Sequence, residues 1–227
     1  MNVLLPRLYA ILDAAFFSST DDLVSCAKVL VDRGCTLLQY RNKSGNARVM
    51  LQHALELRRA FPQSQTPHFS HKQGEVGHPK PNPDVATRLI MNDRADLCLA
   101  ADFDGVHVGQ DDLSPEAVRA IVGPDRWLGV STHNPEQLRE ADLTSADYLA
   151  IGPVFATASK EKPDPAVGLE GVRRARALTD KPLVAIGGIT RANAASVIEA
   201  GADSVAVISD LLRDPAKSAE EFLRILR

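Results

Sequence analysis

Eight short β-rich runs, each followed by a segment with its own helix start or stop signal, recur along this 227-residue chain. They are Leu8–Leu12, Thr36–Tyr40, Arg88–Met91, Gly105–Val108, Trp127–Val130, Tyr148–Ile151, Leu183–Ile186 and Ser204–Ile208. Most are continuously apolar rather than alternating, the pattern of strands covered on both faces. A parallel strand needs a crossover to reach its neighbour, and the intervening stretches supply amphipathic helices for that purpose. In "STDDLVSCAKVLVDRG", Ser19, Thr20 or Asp21 caps the start, Gly34 stops it, and Leu23, Ala27, Leu30 and Val31 share one face. "LSPEAVRAIVG" opens on Ser114 and Pro115, "NPEQLREA" on Asn134 and Pro135, and "TRANAASVIEAG" is expected to run from Thr190 to Gly201. Eight β/α units in about 220 residues fit a closed (β/α)8 TIM barrel of the α/β class, read as one domain over 1–227. A doubly wound open sheet is the alternative, against which no G-x-G-x-x-G follows the first strand, where "ILDAAFF" stands.

One segment breaks this rhythm. From about 62 to 87 the chain is rich in Pro, Gln, Ser and His with almost no apolar periodicity, and a long mobile insertion is expected there. It joins the second helix to the third strand, on the barrel face away from the catalytic loops. His68, His71 and His78 lie in it without a cysteine companion and at no recognisable metal-ligand spacing, which favours a solvated loop over a metal site.

The charge balance excludes some classes of partner. With 26 basic and 29 acidic side chains the net charge is −3, so no long-range field favours nucleic acid or an anionic membrane, and affinity for phosphate must be local. The apolar N-terminus is interrupted by Pro6, Arg7 and Asp13, and no run reaches the length of a membrane span. Cys26, Cys35 and Cys98 are odd in number and widely spaced, as reduced thiols in the cytoplasm would be. Small-molecule substrates are the expected partners, with a homo-oligomer left open.

In a parallel barrel, catalytic groups come from strand ends and the loops that follow them. Polar residues collect there: Gln39, Arg41, Asn42 and Lys43 after the second strand, Asn92 and Asp93 after the third, and Gln110, Asp111 and Asp112 after the fourth. Ser131, Thr132 and His133 follow the fifth, and Thr157, Ser159 and Lys160 the sixth. Mg2+ prefers one or two carboxylates plus substrate oxygens, so Asp93 and Asp112 are the candidate ligands for one such ion. Arg41, Lys43 and Lys160 supply the cations for phosphate oxygens. A second phosphate site is expected where Gly187 and Gly188 follow the seventh strand and Ile208 and Ser209 the eighth. His107, inside a strand run, reads as a hydrogen-bonded core histidine, and His133 as a pocket neighbour.

The motifs "QYRNK", "IMNDR", "GVHVGQDDL", "LGVSTHN", "YLAIGPVFATASK", "GLEGV", "VAIGGIT-x-x-NAA" and "AGADSVAVIS" together resemble the thiamine-phosphate synthase family over nearly the whole chain, the 62–87 segment apart. The resemblance implies coupling of 4-amino-2-methyl-5-(diphosphooxymethyl)pyrimidine to 4-methyl-5-(2-phosphoethyl)thiazole, or its carboxylated precursor, with release of diphosphate. It further implies that Gln39, Tyr40, Arg41, Asn42, Lys43, Asn92 and Lys160 hold the pyrimidine diphosphate and that Ser131 contacts the pyrimidine. Thr157, Ala158, Ser159, Gly188, Ile208 and Ser209 would hold the thiazole phosphate, and Asp93 and Asp112 the Mg2+. The chain departs from the family pattern in its insertion, in Ser159 where threonine is common, and in Ala156 where proline is frequent. Arg41, Lys43 and Lys160 with Mg2+ would neutralise the departing diphosphate in a dissociative substitution needing no protein nucleophile. A thiazole tautomerase of the same barrel family needs no diphosphate clamp, and a non-catalytic sensor of a phosphorylated metabolite would bind without turnover.

Overall fold

The computed structural model describes residues 3–63, 86–157 and 165–227. In chain order these form β1 (Leu8–Asp13), a 3-10 turn (Ala14–Phe16), α1 (Thr20–Asp32), β2 (Leu37–Arg41), α2 (Ala47–Ala60) and β3 (Arg88–Asn92). There follow α3 (Ala95–Ala100), β4 (Gly105–Val108), α4 (Pro115–Val122), β5 (Trp127–Thr132), α5 (Pro135–Asp142) and β6 (Tyr148–Ile151). The chain continues through α6 (Gly168–Arg176), β7 (Leu183–Ile186), α7 (Ala194–Glu199), β8 (Ser204–Val207), α8 (Ser209–Leu212) and α9 (Pro215–Ile225). Every strand pairs in parallel with its sequence neighbours, and β8 returns to β1, with Leu8 opposite Val205 and Ala10 opposite Val207. The result is the closed eight-stranded (β/α)8 barrel that the alternation of runs and helices implied, and the open doubly wound sheet is excluded.

Caps set the helix starts. Ser19 accepts from the Asp22 amide at 3.1 Å, Ser114 from Ala117 at 3.3 Å and Asn134 from Gln137 at 2.9 Å, while Pro115 and Pro135 occupy first turns where a missing N–H is harmless. α7 corrects the expected start at Thr190. Asn193 accepts from the Thr190 amide and holds that stretch as a loop, so the helix begins at Ala194. Several strands also run further than their apolar cores: Arg41, Asn92, Ser131 and Thr132 are their last residues rather than loop residues, and β8 ends before Ile208. Backbone pairing with the neighbouring strand, which hydropathy does not report, carries them on.

Alternation along the strands sorts side chains into two apolar layers. Leu8, Leu12, Leu38, Leu89, Met91 and Leu149 face outward onto Leu23, Ala27 and Leu30 of α1 and their counterparts on other helices. Tyr9, Ile11, Leu37, Ile90, Trp127, Tyr148, Ala150, Val184 and Ala206 face inward and are joined by Val3 and Leu5 from the segment before β1. Glycine makes room for the larger inward groups: a Cβ on Gly129 would lie 2.2 Å from the Tyr148 ring and 2.3 Å from His107 Nδ1.

A motif repeats three times at the strand starts. Asp104, Asp147 and Asp203 each stand one residue before an even-numbered strand and accept through Oδ2 from a backbone amide among the first two residues of the strand before it, that of Leu89, Leu128 or Leu183, at 2.8, 2.7 and 2.8 Å. The same oxygen pairs with an arginine of the helix that leads into that odd-numbered strand, Arg58 of α2, Arg119 of α4 or Arg176 of α6, at 2.8, 2.6 and 2.8 Å. Each clamp ties one helix to two strands at the end of the barrel remote from the loops. Among the described residues no helix is long and apolar enough to cross a membrane, and Cys26, Cys35 and Cys98 are free thiols. The expected mobile insertion, with His68, His71 and His78, lies mostly outside the described residues.

Candidate active site

The C-terminal ends of the strands surround a cavity of about 1410 Å³. β1 and β2 supply its first wall. Asp13, at the end of β1, is buried, accepts from the Ala15 amide at 3.1 Å and forms an ion pair with Arg41. Gln39 and Arg41 point into the cavity, whereas Tyr40, one residue out of phase, points away from it. The Tyr40 hydroxyl contacts His53 Nδ1 at 3.0 Å and accepts from Asn42 at 3.0 Å, and burial pushes its phenol up to about 12. Asn42 is occupied at both ends, since its Oδ1 also accepts from the Ser44 amide at 2.9 Å, so it braces the loop that carries Lys43.

The acidic pair lies at β3 and β4. Asp93 follows directly on β3 with φ +63, a left-handed conformation that aspartate tolerates better than most residues, while its amide donates to the His107 carbonyl at 2.8 Å. Its carboxylate takes the Lys43 ammonium at 2.5 Å. Asp112 accepts from the Gly109 amide at 2.8 Å, a bond that turns the loop back so that its carboxyl meets Asp93. Desolvation by the surrounding protein, above all, raises the Asp112 carboxyl above the ordinary range; the Gly109 amide lowers it, the Asp93 charge raises it, and Lys43 opposes that rise. Two carboxylates brought together, one of them paired with Lys43, are the oxygen donors that suit a hard divalent cation. No group of three or more His, Cys, Asp or Glu suited to a metal occurs among the described residues, so a caged transition-metal site is not formed there. Beside the pair, the Asn92 amide nitrogen is buried at the cavity wall and has no hydrogen-bond partner among the described residues. Such a donor is costly to leave unsatisfied unless a ligand takes it.

A chain of polar groups crosses the cavity floor. Gln39 Nε2 donates to the Tyr9 hydroxyl at 2.9 Å, Tyr9 and Tyr148 hydroxyls are 3.0 Å apart, Tyr148 meets His107 Nδ1 at 3.1 Å, and His107 Nε2 meets Ser131 Oγ at 2.8 Å. Burial lowers the His107 imidazole to about 4, against an opposing contribution from the Asp112 charge, and raises both phenols. His107 is thus the hydrogen-bonded interior histidine expected from its strand position. His133 contacts the Gly152 carbonyl through Nδ1 at 2.6 Å and lines the cavity.

Four strands further round the barrel, and hence across the cavity, β7 and β8 present a different surface. Gly187 and Gly188 have φ of +96 and +64, and a Cβ on Gly188 would lie 2.6 Å from the Ala156 carbonyl oxygen. Successive glycine amides in a left-handed turn are a geometry that can accommodate an anion. Asn193 fixes this loop by donating to the Gly188 carbonyl at 3.1 Å and accepting from Thr190 at 2.8 Å. Ile208, Ser209, Thr157 and Arg213 complete that side, and Arg191 ties the loop to α8 through Asp210 and to α9 through Glu221.

Of the residues picked from sequence, Gln39, Arg41, Asn42, Lys43, Asn92, Asp93, Asp112, Ser131, Thr157, Gly188, Ile208 and Ser209 line one cavity. The Tyr40 side chain does not, because strand parity sends it into the helix-facing layer. Ala158, Ser159 and Lys160 lie outside the described residues. Sequence reading missed Asp13, Tyr9, Tyr148, His53 and Asn193. Asp13 alone carried a visible signal, an acid at the exit of the first strand.

A closed parallel barrel with an acidic pair and cations on one side of its mouth and a glycine cradle on the other defines the class: a phosphate-handling (β/α)8 enzyme. The family described as thiamine monophosphate synthase matches residues 84–211. The thiamine-phosphate synthase of Koribacter versatilis is 58% identical over 225 residues, covering 98% of this chain and 96% of that protein, and that of Chloroflexus aurantiacus is 39% identical over 97% and 92%. The solved thiamine phosphate pyrophosphorylase of Pyrococcus furiosus superposes with a TM-score of 0.77 at 30% identity, covering 97% and 95% of the two chains. The chain belongs to the thiamine-phosphate synthase family, and is a transferase of thiamine biosynthesis.

Proposed function

We propose that this enzyme couples 4-amino-2-methyl-5-(diphosphooxymethyl)pyrimidine to 4-methyl-5-(2-phosphoethyl)thiazole, or to its carboxylated precursor, releasing diphosphate. The observation that carries this reading is the meeting of Asp93, Asp112, Lys43, Arg41 and the unpartnered Asn92 amide on one side of a cavity whose other side is the Gly187–Gly188 cradle. A diphosphate fits the charged side and a phosphate monoester the neutral amides. Asp93 and Asp112 would hold Mg2+, which when bound supplies positive charge to the diphosphate oxygens.

The chain's own groups do the rest. Arg41 and Lys43, each already held by a carboxylate, lie where negative charge grows as the methylene carbon–oxygen bond breaks and diphosphate leaves with the electron pair. Asn92 donates to that leaving group. The amino-substituted pyrimidine stabilises the cation left behind, so no protein nucleophile is needed. Gly187, Gly188 and Ser209 anchor the thiazole phosphate, which brings the ring nitrogen to the methylene carbon to form the new carbon–nitrogen bond. Lys160 is proposed as a third cation for the diphosphate. The cytoplasm, where free thiols persist, is the proposed location.

The test is purified protein with Mg2+ and both substrates, read by the mass of the coupled product and by diphosphate release. Isomerised thiazole with no diphosphate released would point instead to a tautomerase, and tight product binding without turnover to a sensor.

A further inference from the structure

We infer that Gln39, Tyr9, Tyr148, His107 and Ser131 form a one-way hydrogen-bond relay in which His107 is a positioning residue that turns the Ser131 hydroxyl proton into the cavity, toward a hydrogen-bond acceptor on the substrate. The relay runs through four strand-to-strand steps at 2.9, 3.0, 3.1 and 2.8 Å. Its direction follows from counting donors. Gln39 Nε2 donates to Tyr9, and among the described residues the only other partner of the Tyr9 hydroxyl is Tyr148. Tyr9 is 1% exposed, so its proton must go to Tyr148 or remain buried with nothing to accept it. Tyr148, which is 0% exposed, then accepts from Tyr9 and has His107 Nδ1 as its one remaining acceptor among the described residues. An imidazole that accepts at Nδ1 carries its proton on Nε2 and donates it to Ser131 Oγ. The opposite tautomer, or a doubly protonated ring, would leave a buried phenol proton unpaired.

Ser131 lines the cavity, so with its oxygen already accepting from His107 its own proton points to the ligand side. On the proposed reading that the pyrimidine lies there, Ser131 selects an unprotonated ring nitrogen over an amino group. Tyr9 and Tyr148 never touch the substrate on this account, and their hydroxyls act only through the histidine.

Nitrogen-15 NMR of the histidine-labelled free enzyme tests the relay without any substrate. The expected result is a proton on His107 Nε2 and none on Nδ1 at neutral pH. Tyr148→Phe removes the donor that holds this tautomer and is expected to raise KM for the pyrimidine diphosphate roughly three- to tenfold while leaving KM for the thiazole phosphate unchanged. In a Ser131→Ala background the same Tyr148→Phe change is expected to add nothing. A proton on Nδ1, or on both nitrogens, overturns the relay, as does a Tyr148→Phe effect that persists in full without the Ser131 hydroxyl. Should the tautomer be as inferred while the two substrates give no coupled product, the proposed function fails and the relay stands.

Discussion

Replacing Asp112 by asparagine is expected to move stability and activity in opposite directions. In the metal-free enzyme Asp112 and Asp93 are like charges in contact, with Lys43 neutralising only part of the pair. Two unit charges 4 Å apart repel by about 1 kcal/mol in water and about 4 kcal/mol near a protein surface. Asp112 is exposed and Lys43 offsets some of the repulsion, so solvent screening brings the net penalty down to about 1 kcal/mol. Asparagine keeps an oxygen for the Gly109 amide while removing the charge, so Asp112→Asn should melt roughly 2–4 °C above wild type in chelator-treated buffer. The difference should depend on pH with a definite sign. Surrounding protein, above all, and the Asp93 charge hold the Asp112 carboxyl above its unfolded-chain value, so the folded state binds that proton more tightly. Acidifying from the raised value toward the ordinary carboxylate range therefore restores stability to wild type and closes the gap with the variant. Turnover should fall by about 10²–10³ in kcat/KM at saturating Mg2+. Scanning calorimetry across pH and steady-state assays read both effects. A variant that melts at or below wild type at neutral pH, or a gap that ignores pH, refutes the like-charge reasoning; undiminished turnover refutes the role in chemistry.

Three further substitutions separate the parts of the molecule. Asn92→Leu removes an unpartnered buried donor at nearly constant shape, so the free enzyme should be no less stable by thermal melting while KM for the pyrimidine diphosphate rises roughly tenfold or more. Gly188→Ala forces φ +64 on a residue with a Cβ and brings that carbon within 2.6 Å of the Ala156 carbonyl oxygen; a loss of about 1–3 kcal/mol in denaturant titration and a weakened KM for the thiazole phosphate are expected. Asp147→Ala strands the Leu128 amide and leaves Arg119, still bonded to backbone carbonyls, without its charge partner, at about 3 kcal/mol, which circular dichroism should register as a melting point lower by roughly 6–12 °C, with kcat/KM of the folded enzyme unchanged.

Strand positions were legible because most strands are buried on both faces and therefore largely apolar, and helix starts because Ser19, Ser114 and Asn134 announce themselves locally. That Asp93 and Asp112 line the cavity was legible for a related reason, since both stand at the exit of an apolar run, the end of a barrel strand that faces the cavity. The rest was hidden by distance or by ambiguity. Arg58 and Asp104 are separated by 46 residues, and Arg119 and Asp147 by 28, so nothing along the chain announces the clamps. Tyr9 and Tyr148 read as ordinary inward packing because a tyrosine in an apolar run does not reveal what its hydroxyl meets. Tyr40 could be assigned to the cavity only by ignoring parity, which sends Gln39 and Arg41 one way and Tyr40 the other. The start of α7 was misjudged because Thr190 and Asn193 are both acceptable caps, and which one serves depends on the loop that Gly188 must form.

The three aspartate–arginine clamps stand at the strand starts, and the groups that meet ligand stand at the strand ends. A five-residue strand separates the two by roughly 16 Å, beyond the range at which substitutions usually couple. Laboratory evolution could therefore remodel the loops toward other phosphorylated heterocycles while a foundation it never touches keeps the barrel shut.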